Sequence, residues 1–205
     1  MDAPAPVPSA RQTELLDAAY DYVRTHGLSA VSLRPLAASI GSSPRVLLYL
    51  FGSKDGLVRA LLARAREDEL SMLRELDIGP SVGGGEVNAA SGQALEETVR
   101  RIWAWLVVPE HRSLLVLWGE SYMQSLVDPD GPWSGFARQT VEDWLEVLSA
   151  VQPLDERNSE EGLAKRTLAL AVMRGALLDL LATGAEGRTS AAVDLHLSGL
   201  AARTG

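Results

Sequence analysis

The sequence predicts an all-α fold, on three observations. Apolar residues recur at spacings of three and four along most of the 205-residue chain, which is the signature of one-sided helices. No run of β-branched or aromatic residues alternates with period two for long enough to make a sheet. Glycine and proline punctuate the periodic stretches, at Gly27, Gly41, Pro109 and the Asp128-Pro129-Asp130-Gly131-Pro132 cluster.

The first helix is expected from about Arg11 to His26, with Leu15, Leu16, Ala18, Ala19, Tyr22 and Val23 facing inward and Gly27 closing it. Leu33, Leu36, Ala37 and Ile40 then share one stripe. Ser32 is the expected N-cap, its hydroxyl accepting a first-turn N–H, and Pro35 falls where a missing N–H costs little. Gly41 permits the positive φ that ends a helix. A second start follows at once, with Ser43 as cap, Pro44 at the first helical position, and Leu47 and Phe51 four apart on the inner side. Two short helices joined by a glycine turn outline a helix-turn-helix. Ser53 caps a long helix reaching about Leu76, with Leu57, Leu61, Ala65 and Met72 inward.

Residues 78–92 are rich in Gly, Ser and Pro and read as a flexible linker. The Gly83-Gly84-Gly85 run lacks the adjacent lysine and the strand of a phosphate cradle. Further helices are expected at 93–108, 110–127, 133–151, 159–183 and 189–203, the last two separated by Gly184 and Gly187. The organisation is therefore a tail over 1–10, a three-helix helix-turn-helix domain over 11–54, and a C-terminal helical domain for ligand binding and dimerisation over 55–205.

Charge is divided along the chain. The net charge is −8, yet residues 1–66 carry +3 and the remainder −11. From Arg34 to Arg66 the basic residues are Arg34, Arg45, Lys54, Arg59, Arg64 and Arg66, opposed only by Asp55. A basic head on an acidic body suits a binder of the phosphate backbone, because the other surfaces repel nucleic acid. Cysteine is absent, which excludes disulfides, thiolate catalysis and thiolate zinc sites. The three histidines have no ligand-spaced partners, so neither a metal nor another cofactor is expected. Glu96-Glu97 and Glu160-Glu161 read as solvated helix faces rather than acid–base pairs. The N-terminal MDAPAPVPSA lacks the basic and apolar regions of a signal peptide, and the longest apolar tract, Leu163–Ala182, is broken by Lys165, Arg166, Arg174 and Asp179. A cytoplasmic location is the expectation.

The outward face of the second short helix carries Arg45, Val46 and Tyr49. A helix this short must be docked on neighbours, which leaves that face free to enter a major groove. Arg45 is placed to fork onto a guanine edge, the alternative being a phosphate contact. Ser32, Ser42, Ser43 and Pro44 lie at the two helix starts, where the three serines are candidates to touch phosphates, although capping alone would explain Ser32 and Ser43. The body offers two further patterns. All five tryptophans, Trp103, Trp105, Trp118, Trp133 and Trp144, precede the last two helices. Trp103, Leu106, Leu114, Trp118, Tyr122, Met123, Phe136 and Trp144 are candidates to line a pocket for an apolar or aromatic ligand, with Glu120, Gln124, Tyr122 or Arg112 orienting it; plain core packing is the competing explanation. In the penultimate helix one face carries Leu163, Leu170, Leu177 and Leu181, and the other Ala164, Leu168, Ala171, Gly175, Leu178 and Ala182. A helix apolar nearly all round is central to a core or covered by a second subunit. With Val193, Leu197 and Leu200 of the last helix, the second face is expected to form a seam across a two-fold axis.

Leu15–Gly27, LLDAAYDYVRTHG, followed by SLRPLAASIGSSPRVLLYLFGSKDGLV up to Val58, resembles the N-terminal domain of the TetR family of one-component bacterial repressors. The resemblance covers about residues 11–60, and the body is similar only in architecture. It implies a homodimer whose heads bind a near-palindromic double-stranded DNA operator and release it when a small molecule enters the body. It also implies DNA contacts for Arg34 and for Lys54 at the start of the long helix. The family pattern carries Tyr where this chain has Leu48 and His where it has Leu50, which makes Tyr49 the candidate replacement for the usual tyrosine–phosphate contact. Two other functions compete: a helical-bundle enzyme or small-molecule carrier with a vestigial head, and a DNA-binding dimer controlled by a protein partner. No nucleophile–base–orienter set supports the enzyme.

Overall fold

The computed structural model of the chain describes residues 9–28, 32–75 and 93–201. Among the described residues the structure is all-helical. It comprises α1 (Ala10–His26), α2 (Leu33–Ser39), α3 (Pro44–Phe51), α4 (Lys54–Glu75), α5 (Gln93–Leu106), a single 3-10 turn (Pro109–His111), α6 (Arg112–Val127), α7 (Phe136–Ala150), α8 (Leu154–Arg157), α9 (Glu160–Thr183) and α10 (Glu186–Ala201). The expected linker at 78–92 lies outside the described residues. So do the first eight residues of the expected tail and the side chains of Met72 and Leu200.

Helix ends follow local chemistry. Ser9 caps α1 by accepting the Gln12 N–H at 3.2 Å, so the helix starts at Ala10, one residue earlier than the periodicity places it. Ser43 accepts from Val46 at 3.3 Å, Ser53 from Gly56 at 2.9 Å and Ser159 from Gly162 at 2.9 Å, each satisfying an N–H that a helix start leaves without an intrahelical partner. Ser32 departs from expectation. It occupies the N-cap of α2 in an extended conformation, but its side chain makes no capping bond, and its carbonyl accepts from Leu36 instead. Other boundaries differ by two or three residues, as where α6 starts at Arg112 and α7 at Phe136. Gly187 lies inside α10, which starts at Glu186, and the one-turn α8 lacks a long enough apolar period to be read in advance.

The chain forms two compact units. The first joins Met1–Asp68 to Val116–Ala137. Its core contains Leu15, Ala19, Tyr20, Val23, Leu36, Ala37, Leu47, Leu57, Leu61 and Leu117. Arg64 of α4 donates to Asp17 of α1 at 3.2 Å, pairs with Asp68, and sits 5.2 Å from the centre of the Tyr20 ring, with Arg24 at 6.0 Å. Both guanidinium groups are within reach of a cation–π attraction. Burial, then the Asp68 carboxylate, pushes the Tyr20 phenol above its ordinary pKa. From α6, Glu120 accepts the Leu28 N–H at 2.7 Å, just past the end of α1.

The second unit holds Glu69–Leu115 and Arg138–Gly205. In it α10 packs on α9 and α5, and α5 on α9, enclosing Val99, Ile102, Leu170, Met173, Leu177, Val193 and Leu197. Arg100 ties α5 to α10 through Asp194 at 2.8 Å. At the corner between α7 and α9, buried Gln152 donates to the Gly162 carbonyl at 3.0 Å and accepts from Arg166 at 2.9 Å. A buried amide costs free energy unless both its donor and acceptor are used, and here both are.

Candidate nucleic-acid interface

The first unit presents α3 on a support that its own sequence builds. Leu47 is buried and anchors the helix on α2, a burial worth about 1.5–3 kcal/mol. Gly41 adopts φ +62° between the helices, a conformation an L side chain resists. Ser42 donates its N–H to Ala37 at 2.8 Å, closing the end of α2. Past α3, Gly56 in the first turn of α4 comes so near the Phe51 carbonyl that a Cβ atom would sit 2.0 Å from that oxygen. Only glycine permits that approach. Gly56 is a structural requirement that the sequence hides, because nothing local marks it.

With Leu47 inward, the rest of α3 faces out. Tyr49 is 86% exposed, and Val46, Leu48 and Arg45 are exposed beside it. Arg34 on α2 and Lys54 at the head of α4 are exposed as well, and among the described residues neither they nor Arg45 enter an ion pair. These three cations keep their full charge available to an anion. Arg64, by contrast, is spent on Asp17 and Asp68. The serines divide. Ser32 is exposed and Ser43 combines exposure with its cap, whereas the Ser42 hydroxyl oxygen is enclosed by protein. Pro44 holds the first helical position of α3.

Residues 15–61 match the family model of bacterial regulatory proteins, tetR family. That stretch is similar to the DNA-binding N-terminal domain of the family's transcription regulators. Its fold is similar to solved structures along nearly the whole chain. A TetR transcription regulator from Haloarcula marismortui ATCC 43049 matches with a TM-score of 0.72 at 19% identity, covering 94% of this chain and 97% of that one. A TetR-like transcriptional regulator from Rhodococcus sp. RHA1 matches at 0.59 and 25% identity, covering 97% of each. The multidrug binding protein EbrR, complexed with proflavin, matches at 0.63 and 23%, covering 93% and 99%. No curated protein matches the chain. The family is one of DNA-binding transcription regulators and not of enzymes.

The other expected site residues fall into distinct settings. In the first unit Trp118 and Tyr122 are half-buried with ring centres 5.4 Å apart, Phe136 is half-buried, and Met123 is 53% exposed. In the second, Trp103, Leu106 and Trp144 are buried and Leu114 is half-buried. The indole N–H of Trp103 donates to Ser190 at 2.9 Å and that of Trp144 to Glu69. Of the expected ligand-orienting groups, Glu120 is engaged with Leu28 and Arg112 with the Leu181 carbonyl at 2.8 Å.

On α9, Leu168 and Leu178 are about half exposed, and Ala164, Ala171, Gly175 and Ala182 are exposed with them. The opposite face, through Leu170 and Leu177, is buried. Val193 and Leu197 differ from expectation: they are buried in this chain's own core, since the apolar side of α10 is used against α5 and α9. Among the described residues of α10, Leu195 is a large apolar side chain left in solvent, 77% exposed.

Proposed function

We propose that this chain is a ligand-responsive repressor, acting as a homodimer on a near-palindromic operator and released by a small apolar or aromatic effector. The observation that carries the reading is α3 itself, whose inner side is anchored by Leu47 while Arg45, Val46 and Tyr49 stand in solvent. Arg45 reads a base edge, Tyr49 meets a phosphate in place of the residue at Leu48, and Arg34 and Lys54 fix the head on the backbone. Two heads are needed because one eight-residue helix offers too few base contacts for a specific site. The α9 face of Leu168, Ala171, Gly175, Leu178 and Ala182, with Leu195 replacing Val193 and Leu197, is the seam that supplies the second. The effector contacts the half-buried Trp118–Tyr122 pair on α6, in the same compact unit as α3. The complex of EbrR with proflavin favours an aromatic effector of this kind.

The test begins with genomic fragments retained by the full-length protein, followed by affinity measurements on a retained fragment and on a random duplex across a salt series. A steep loss with salt and a clear preference for the retained fragment are expected. Equal affinity for both duplexes at every salt concentration refutes the reading.

A further inference from the structure

We propose that Gln12 is a positioning residue for DNA reading, a brace that sets the angle at which α3 meets the groove. The inference rests on α3 being the DNA-reading helix. A helix of eight residues leaves its last four carbonyls without intrahelical donors. One of these, on Leu50, accepts a bond from the side-chain amide of Gln12 in the first turn of α1, at 3.1 Å. Gln12 is itself fixed by the Ser9 cap, which accepts its backbone N–H at 3.2 Å. The brace is therefore held at both ends.

Geometry gives the bond its importance. The packing of α3 is mainly on α2, Leu47 is its one buried residue, and a short rod seated on one buried side chain can pivot about it. Leu50 lies three residues beyond that pivot and next to Tyr49, which is 86% exposed. A tether at the Leu50 carbonyl fixes the C-terminal end of α3, and with it the directions of Arg45 and Tyr49 on the far side. Gln12 precedes the stretch 15–61 that matches the family model, whereas Leu50 lies within it.

The test compares Gln12→Glu, which keeps the size and removes the donor, with Gln12→Lys, which keeps a donor aimed at a carbonyl. Each full-length variant is titrated against a genomic fragment retained by the wild type and against a random duplex of equal length at one salt concentration. The ratio of the two affinities cancels the general effect of the changed charge on both duplexes. Gln12→Glu is expected to lower that ratio about 2–10-fold, the effect of one lost hydrogen bond, while Gln12→Lys keeps it and both variants still melt cooperatively. An unchanged ratio in Gln12→Glu overturns the inference. So does an equal loss in both variants, which is the mark of general loosening. A wild-type ratio of one removes the reading of α3 itself, and this inference with it.

Discussion

Among single residues, Arg45 and Lys54 separate reading from holding. Both are exposed and outside any ion pair among the described residues, but Arg45 lies in the first turn of α3 and Lys54 begins α4. Arg45→Ala is expected to cost about 1–3 kcal/mol of discrimination between retained and random duplexes. Lys54→Ala weakens both alike and reduces the salt slope by about one. Competition titrations on the two duplexes check the pair. Tyr20 makes a different prediction, about pH. Its phenol is pushed above its ordinary value by burial and by Asp68, so the neutral ring favours the folded state. That contribution is whole below about pH 10, where a free phenol begins to ionise, and is lost as pH rises toward the folded value. Tyr20→Phe keeps the ring between Arg24 and Arg64 and cannot ionise. Melting temperatures measured from pH 8 upward should fall less steeply for the variant than for wild type.

At the level of elements, the helices of the head are legible in the sequence where the cause is local. Ser43-Pro44 and Gly41 specify a start and a stop by hydroxyl, ring and φ, and both stand where the periodicity places them. Replacing Ser43 by Ala should cost about 1 kcal/mol in denaturant titrations, the usual effect of losing a cap. Causes that lie across space are not legible. Tyr20 is absent from the stripe expected for α1, yet it is buried, with Arg24 and Arg64 over its ring. Gly56 reads as an ordinary helix residue, although the Phe51 carbonyl presses on it. Gly56→Ala should therefore destabilise the head well beyond the general preference of helices for alanine, which hydrogen exchange of α3 and α4 amides would register. The stripe of Val193 and Leu197 is plainly apolar, but a period cannot say whether the same chain or a second one covers it. Here α5 and α9 cover it.

For the whole molecule, the exposed α9 face and the α6 aromatic pair make two expectations. A Cβ atom added at Gly175 would meet nothing within 4 Å, so Gly175→Arg is tolerated by the isolated chain while placing a charge in the proposed seam. Sedimentation should show a monomer that has lost its preference for the retained fragment; a variant that remains dimeric and selective removes α9 from the seam. A compound that releases DNA should also quench tryptophan emission through Trp118, and release with unchanged emission argues against the α6 pair as its contact. The aromatic residues are conspicuous in the sequence, but the engagement of Trp103 with Ser190 and of Trp144 with Glu69 depends on partners 87 and 75 positions away, which no spacing rule reaches.

The bond from Glu120 to the Leu28 amide carries a practical corollary for anyone wishing to transplant this DNA-reading module. The module is assembled from two stretches of polypeptide, and a graft cut after Asp68 would leave behind the carboxylate that accepts the Leu28 N–H beyond α1, together with the Leu117 side chain of the shared interior. A chimaera that carries 116–137 along with the head keeps that wall intact.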